Sequence, residues 1–198
     1  AGFAPATGEG TKLVVAASWE SGDAEITNAT YGSQSFTEAV TRQVGRNTSI
    51  WYLDEPVSAS GDVTVWFSGS ATESLIGVLS LQNTAAGDPA TASITGSTTL
   101  GITTTVKDSL VVGVYTENGN ASLSSDFANT LYTGNSGSSV GNAGYQQEAV
   151  PGAKTYTWSA ATNSCAAVAA SFPPALFRQP IVGGDDADDD ADGMADAW

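Results

Sequence analysis

Residues 11–20 read Thr-Lys-Leu-Val-Val-Ala-Ala-Ser-Trp-Glu (TKLVVAASWE). The run from Leu13 to Trp19 is almost unbroken in apolar character. That pattern predicts a strand buried on both faces or central in a sheet, not an alternating surface strand. The rest of the chain is read outward from it. Glu25–Tyr31 and Gln34–Val40 flank Gly32-Ser33, a two-residue turn between β-favouring runs, so a hairpin is expected. Ser49–Leu53 (SIWYL) is an aromatic strand that breaks at Pro56. Asp62–Phe67 alternates, with Val63, Val65 and Phe67 on one side and Thr64 and Trp66 on the other.

Further on, Ser74–Leu81 reads as a core strand and Ala90–Leu100 as a polar edge strand. Ile102–Val106 and Ser109–Thr116 follow, joined across Lys107-Asp108. The stretch 117–150 is rich in Gly, Asn and Ser. Phe127, Leu131 and Tyr132 supply packing there, and Gly137–Gly144 is expected to be irregular. Thr155–Ser159 and Ser164–Phe172 close the domain. Roughly ten short strands and no helical period predict an all-β fold, an antiparallel β-sandwich of jelly-roll type. LVVAASWE (13–20) and LVVGVYTE (110–117) echo each other. Two explanations fit: two related sheet halves, or the common look of central strands. The second is preferred because apolar strand patterns are degenerate.

Composition narrows the function classes. The 198 residues are 41% hydrophobic, enough for one domain with a real core. Net charge is −15, with only 6 Lys and Arg, which argues against nucleic acid or an anionic membrane as partner. No His is present, so the commonest general base and metal ligand is missing. No G-x-S-x-G, P-loop or HExxH motif occurs, and Asp54-Glu55-Pro56 reads as a loop rather than a glycosidase acid. A non-catalytic protein is expected. Cys165 sits in CAAVAASF and reads as an inert core thiol. No apolar run is long enough for a membrane-spanning helix. The Thr/Ser/Asn-rich, acidic composition suggests an extracellular or cell-surface protein. Trp19, Trp51, Trp66 and Trp158 lie within strands, where packing is the simple explanation. Asn28, Asn47 and Asn120 head Asn-x-Ser/Thr triplets and are candidate glycosylation sites.

The C-terminal stretch divides in three. The domain is expected to end near Phe172, followed by Pro173-Pro174. Residues 173–184 form an extended linker carrying ALFRQPIV (175–182). Residues 185–198 are an acidic segment. A short apolar strand between a Pro-Pro break and an acid run must return to its own sheet or enter another molecule's. Leu176, Phe177, Ile181 and Val182 are the candidate assembly residues, with Pro180 restricting pairing to an edge.

The motifs resemble a family. Phe3, Gly8-Glu9-Gly10, Leu13–Trp19, Ile26–Ser35, Trp51–Leu53, Val63–Ser68, DSLVVGVYTE, TYTWS and AAVAASF are similar to an uncharacterised β-sandwich domain of secreted and surface-attached bacterial proteins. The resemblance covers about residues 3–172 and implies a fold and a location but no chemistry. The family's first strand is usually longer than AGFAPAT, so a sheet edge near Leu13–Trp19 is expected to stand open. Residues 188–198 (DDDADGMADAW) resemble thrombospondin type 3 and EF-hand-like calcium loops. That resemblance implies a Ca2+ ion held by Asp188, Asp190, Asp192 and Asp196, with Gly193 permitting the turn. The usual bidentate Glu would fall after Trp198. The competing description is a solvated acid tail.

The sequence therefore predicts a structural subunit of an extracellular filament or surface layer. Its partners are copies of itself, joined by strand exchange and stabilised by calcium. The alternative is a monomeric carbohydrate-binding or adhesive module, with glycans as partner.

Overall fold

A computed structural model describes residues 5–20, 24–57, 60–119, 123–136, 139–159 and 164–175. Among these residues the chain forms strands and no helix. The TKLVVAASWE stretch becomes β1 (Lys12–Glu20), buried along nearly its whole length. Its neighbours are β5 (Arg46–Asp54) on one side and β7 (Thr72–Leu81) on the other, both antiparallel. With β4 (Thr37–Gln43) beyond β5, the first inner sheet runs β4-β5-β1-β7. The edge expected to be open at Leu13–Trp19 is therefore closed. Lys12 to Glu20 pair with Asp54 to Arg46, and β7 fills the opposite side.

The second inner sheet is built round β10 (Ser109–Asn118), flanked by β12 (Ser139–Glu148) and β14 (Cys165–Phe172). With β11 (Asn129–Ser136) and β8 (Ala90–Thr95) at its edges, its order is β11-β12-β10-β14-β8. Two smaller sheets complete the molecule: β3-β2-β6, from Gln34–Ser35, Ile26–Tyr31 and Val63–Phe67, and β13-β9, from Gly152–Thr157 and Thr99–Thr104.

Side-chain alternation explains why the sandwich has four layers rather than two. On β1, Val14 and Ala16 pack inward with Ile50, Val112, Val114, Val168 and Phe172, joining the two inner sheets. Leu13, Val15, Ala17 and Trp19 point the other way, where Ile26, Ala29, Tyr31, Val63 and Phe67 cover them. Val111 and Tyr115 of β10 face outward under Leu100, Ile102, Tyr156 and Trp158. Both central strands are apolar on both faces, so each needs a cover on each side. The outer sheets supply it.

The two halves repeat a strand order. β4-β5-β1-β7 matches β11-β12-β10-β14, and in each half one strand (β6 or β13) crosses to the outer layer before the last strand returns. The sequence echo falls on the equivalent strands β1 and β10, but its aligned residues face opposite sides. Leu13 and Val15 face outward, whereas Leu110 and Val112 face the central core. A one-residue slip reverses every side chain in a strand, so the aligned LVV motifs are not equivalent positions.

Several local expectations change. Ala90–Leu100 is two strands, split near Gly96, and the second pairs with β13 in an outer layer. Gln34–Val40 breaks at Phe36, and β3 and β4 belong to different sheets. Residues 139–144, expected to be irregular, are the first part of β12. The Gly32-Ser33 hairpin and the alternation of Val63, Val65 and Phe67 against Trp66 occur as expected.

Candidate functional site

Leu176, Phe177, Ile181 and Val182 lie outside the described residues, as do Asp188, Asp190, Asp192, Asp196 and Asn120. Among the described residues no group of three or more His, Cys, Asp or Glu side chains is placed to hold a metal ion, and no helix is long and apolar enough to cross a membrane. The first inner sheet ends at β7 on one side, and the chain's last described residues pair with residues 83–85, beyond the end of that strand. Thr84 bridges Pro174 in antiparallel sense. The Ala85 N–H donates to the Pro173 carbonyl at 2.9 Å and the Ala175 N–H to the Asn83 carbonyl at 2.7 Å. The Pro-Pro pair therefore stops β14 but does not send the chain away from its own domain, at least through Ala175.

Charged side chains gather at strand ends. Lys12 is 1% exposed and pairs with Asp54, its cross-strand partner on β5. The Lys12 ammonium also lies 4.8 Å from the Tyr52 ring centre and donates to the Gly87 carbonyl at 3.3 Å. Gly87 N–H donates to Asp54 Oδ2, and the Tyr52 hydroxyl donates to Asp88 Oδ1 at 2.5 Å. Burial, then the Asp88 carboxylate, pushes the Tyr52 phenol up to about 12. The group fastens the 87–88 loop to the end of β1 and β5. At the opposite end of β1, Arg46 pairs with Glu20 and lies 3.9 Å from Glu73, tying β5 to β1 and β7.

A third cluster sits where β12 meets the outer β13-β9 sheet. Glu148 accepts from the Tyr156 hydroxyl at 2.6 Å, from Lys154 at 2.9 Å and from Gln146 at 2.9 Å. Burial alone would raise its carboxyl, but these donors outweigh burial and hold it below the ordinary value. Burial and then Glu148 raise the Tyr156 phenol. All three clusters join neighbouring strands and layers, which is structural chemistry.

Three of the tryptophans are buried: Trp19, Trp51 and Trp158. Trp66 departs from the packing expected of it and is 56% exposed on β6. Its register partner across the sheet is Asn28, with Thr64 opposite Thr30 beside them. These residues form a small polar platform with one flat ring, on the solvent side of an outer layer. The half-buried Asn28 belongs to this platform. Asn47 is 2% exposed in β5, and its Oδ1 accepts the Val44 N–H at 3.1 Å. It braces the β4–β5 turn, a setting that leaves no room for a glycan on the folded chain. The exposed ring could not be inferred from strand membership. Its alternation partners Val65 and Phe67 were the available signal.

Cys165 is buried in β14, and its thiol reaches the Ser97 carbonyl at 3.5 Å. No family model, curated protein or solved structure matches this chain.

Proposed function

We propose that this protein is a non-catalytic structural subunit of an extracellular filament or surface layer, assembled from copies of itself by exchange of the Ala175–Val182 strand. The observation that carries this reading is the edge strand β7. It is ten residues long, reads TESLIGVLSL, and ends the first inner sheet. A long apolar edge presents unpaired backbone groups and invites an added strand. An element that one copy can lend to the next gives a head-to-tail contact, which propagates into rings or open filaments. Calcium on Asp188, Asp190, Asp192 and Asp196 would offset the mutual repulsion of subunits carrying a net charge of −15. Analytical sedimentation of the 198-residue chain with calcium is expected to show polymers that a chelator loosens and that removal of residues 175–198 abolishes. Polymers that persist in the shortened chain would remove the strand from the reading.

The Trp66 platform favours a second reading, a monomeric carbohydrate-binding module. An exposed ring flanked by Asn28 and Thr side chains suits stacking against a sugar face. If this is the function, Trp66→Ala loses polysaccharide binding on a glycan array while its melting temperature changes by no more than about 2 °C, since the ring is exposed and a surface change costs little. A wild-type chain that binds no glycan on the array ends this reading.

A further inference from the structure

We infer that Lys12 and Asp54 are joined by an isopeptide bond, an amide between Lys12 Nζ and Asp54 Cγ that ties β1 covalently to β5. The folded chain makes the bond itself, with loss of one water and no added reagent. The inference is independent of the assembly reading.

The fold holds the two reacting groups together. Lys12 opens β1, Asp54 closes β5, and the two are direct cross-strand partners. One residue further out, the Glu55 N–H donates to the Thr11 carbonyl at 2.9 Å, which fixes the register beside the pair. The Lys12 nitrogen is in direct contact with Asp54 Oδ1. Lys12 is buried, and the Tyr52 ring, centred 4.8 Å from its nitrogen, helps to keep water from it. Gly87 grips both groups: its carbonyl accepts from Lys12 Nζ and its N–H donates to Asp54 Oδ2, each at 3.3 Å. The next residue, Asp88, accepts the Tyr52 hydroxyl, which anchors this loop to β5.

Each contact has a part in amide formation. Passing one proton from the ammonium to the carboxylate removes two charges from a site poor in water, and leaves an amine beside a carboxylic acid. The amine lone pair then attacks Asp54 Cγ. Gly87 N–H donates to the carboxyl oxygen on which negative charge develops. The nitrogen gives up a proton, and the hydroxyl oxygen of Asp54 takes it and leaves as water. One C–N bond forms, one C–O bond breaks, and nothing is oxidised or reduced. Groups held in contact react with effective molarities of about 10⁵ M and above. The Asp54 side chain is 33% exposed, which gives the water a way out. The other buried pairs lack this chemistry. Arg46, paired with Glu20, carries a guanidinium that stays protonated and is no nucleophile. Glu148, paired with Lys154, is kept ionised by the donors around it and so resists attack. The Lys12–Asp54 link spans 42 residues of sequence and restricts the unfolded chain as a disulfide would.

Mass spectrometry of the 198-residue chain, kept folded at neutral pH for several days and then fully denatured, tests this. The chain is expected to be lighter than its sequence by the mass of one water. Proteolysis is expected to release the peptide containing Lys12 joined to the peptide containing Asp54. Lys12→Arg, which keeps the positive charge, and Asp54→Ala are each expected to have their full sequence mass and to yield no joined peptide. Full sequence mass in the unaltered chain overturns the inference, and the pair is then an ion pair only. A water loss that survives either substitution, or that maps to other residues, also overturns it. The joined peptide is sought in the unaltered chain, so a variant that fails to fold does not decide the outcome. Neither result bears on whether copies assemble through Ala175–Val182.

Discussion

Replacing Trp158 by Ala is expected to cost about 4 kcal/mol and to lower the melting temperature by roughly 8–16 °C, the scale for emptying a buried aromatic site in a domain of this size. Trp158 is 1% exposed between the second inner sheet and the outer β13-β9 layer. Its ring stacks on Tyr115 at 5.3 Å between centroids and lies 5.8 Å from Phe127. Phe127 in turn stacks on Tyr156 at 4.1 Å. Truncation removes one member of a four-ring cluster that fastens an outer layer to an inner sheet. It also leaves Asn142 Oδ1 without the indole N–H that donates to it at 3.0 Å. A buried acceptor stripped of its donor adds to the cavity cost. Calorimetric melting of the purified variant measures this directly. A fall of less than about 3 °C would mean that the outer layer contributes little to the cooperative unit.

The second large effect is expected at Glu148, and it depends on pH. Glu148→Ala leaves the buried Tyr156 hydroxyl and the Lys154 ammonium without their common acceptor, at a cost of about 3 kcal/mol near neutral pH. Lys154 is partly exposed and regains water, which keeps the figure at the low end. The carboxyl's value in the folded chain lies below the ordinary 4.5. Its stabilising contribution is therefore complete above about pH 4.5 and is lost as pH falls through the lower folded-state value. The gap in melting temperature between the wild-type chain and Glu148→Gln is expected to be full at pH 6–7 and to narrow progressively below about pH 4.5. A gap that stays constant down to pH 3 would show that the carboxylate charge contributes nothing, and that the hydrogen bonds alone matter.

The inner strands were legible because their composition matches their burial. Leu13–Trp19 and Leu110–Tyr115 are apolar on both faces, and both lie at the middle of a sheet. The layer count was not legible. A strand covered on both faces shows only that covers exist, not that they come from β2, β6, β9 and β13. The start of β12 looks irregular in the sequence because SVGNAGYQQE carries the glycines of a loop. In the fold Gly144 makes room for a ring, as Gly113 does on the neighbouring β10, and Gly141 makes room for Ser18 and Leu75. A Cβ on Gly144 would lie 2.6 Å from Phe127 Cβ, and one on Gly113 would lie 2.4 Å from Phe127 Cζ. Close approach by an aromatic side chain needs a residue that composition counts as a turn former. The inferred open edge at β1 failed for a different reason. A short N-terminal segment says nothing of which later strand pairs with β1, and β5 and β7 supply both neighbours. The edges of this sheet are β4 and β7.

Electron microscopy of the 198-residue chain, with calcium and at high protein concentration, tests the assembly most directly. The account expects regular filaments or sheets that disappear when residues 175–198 are removed. Dispersed single particles from the complete chain under those conditions would contradict it.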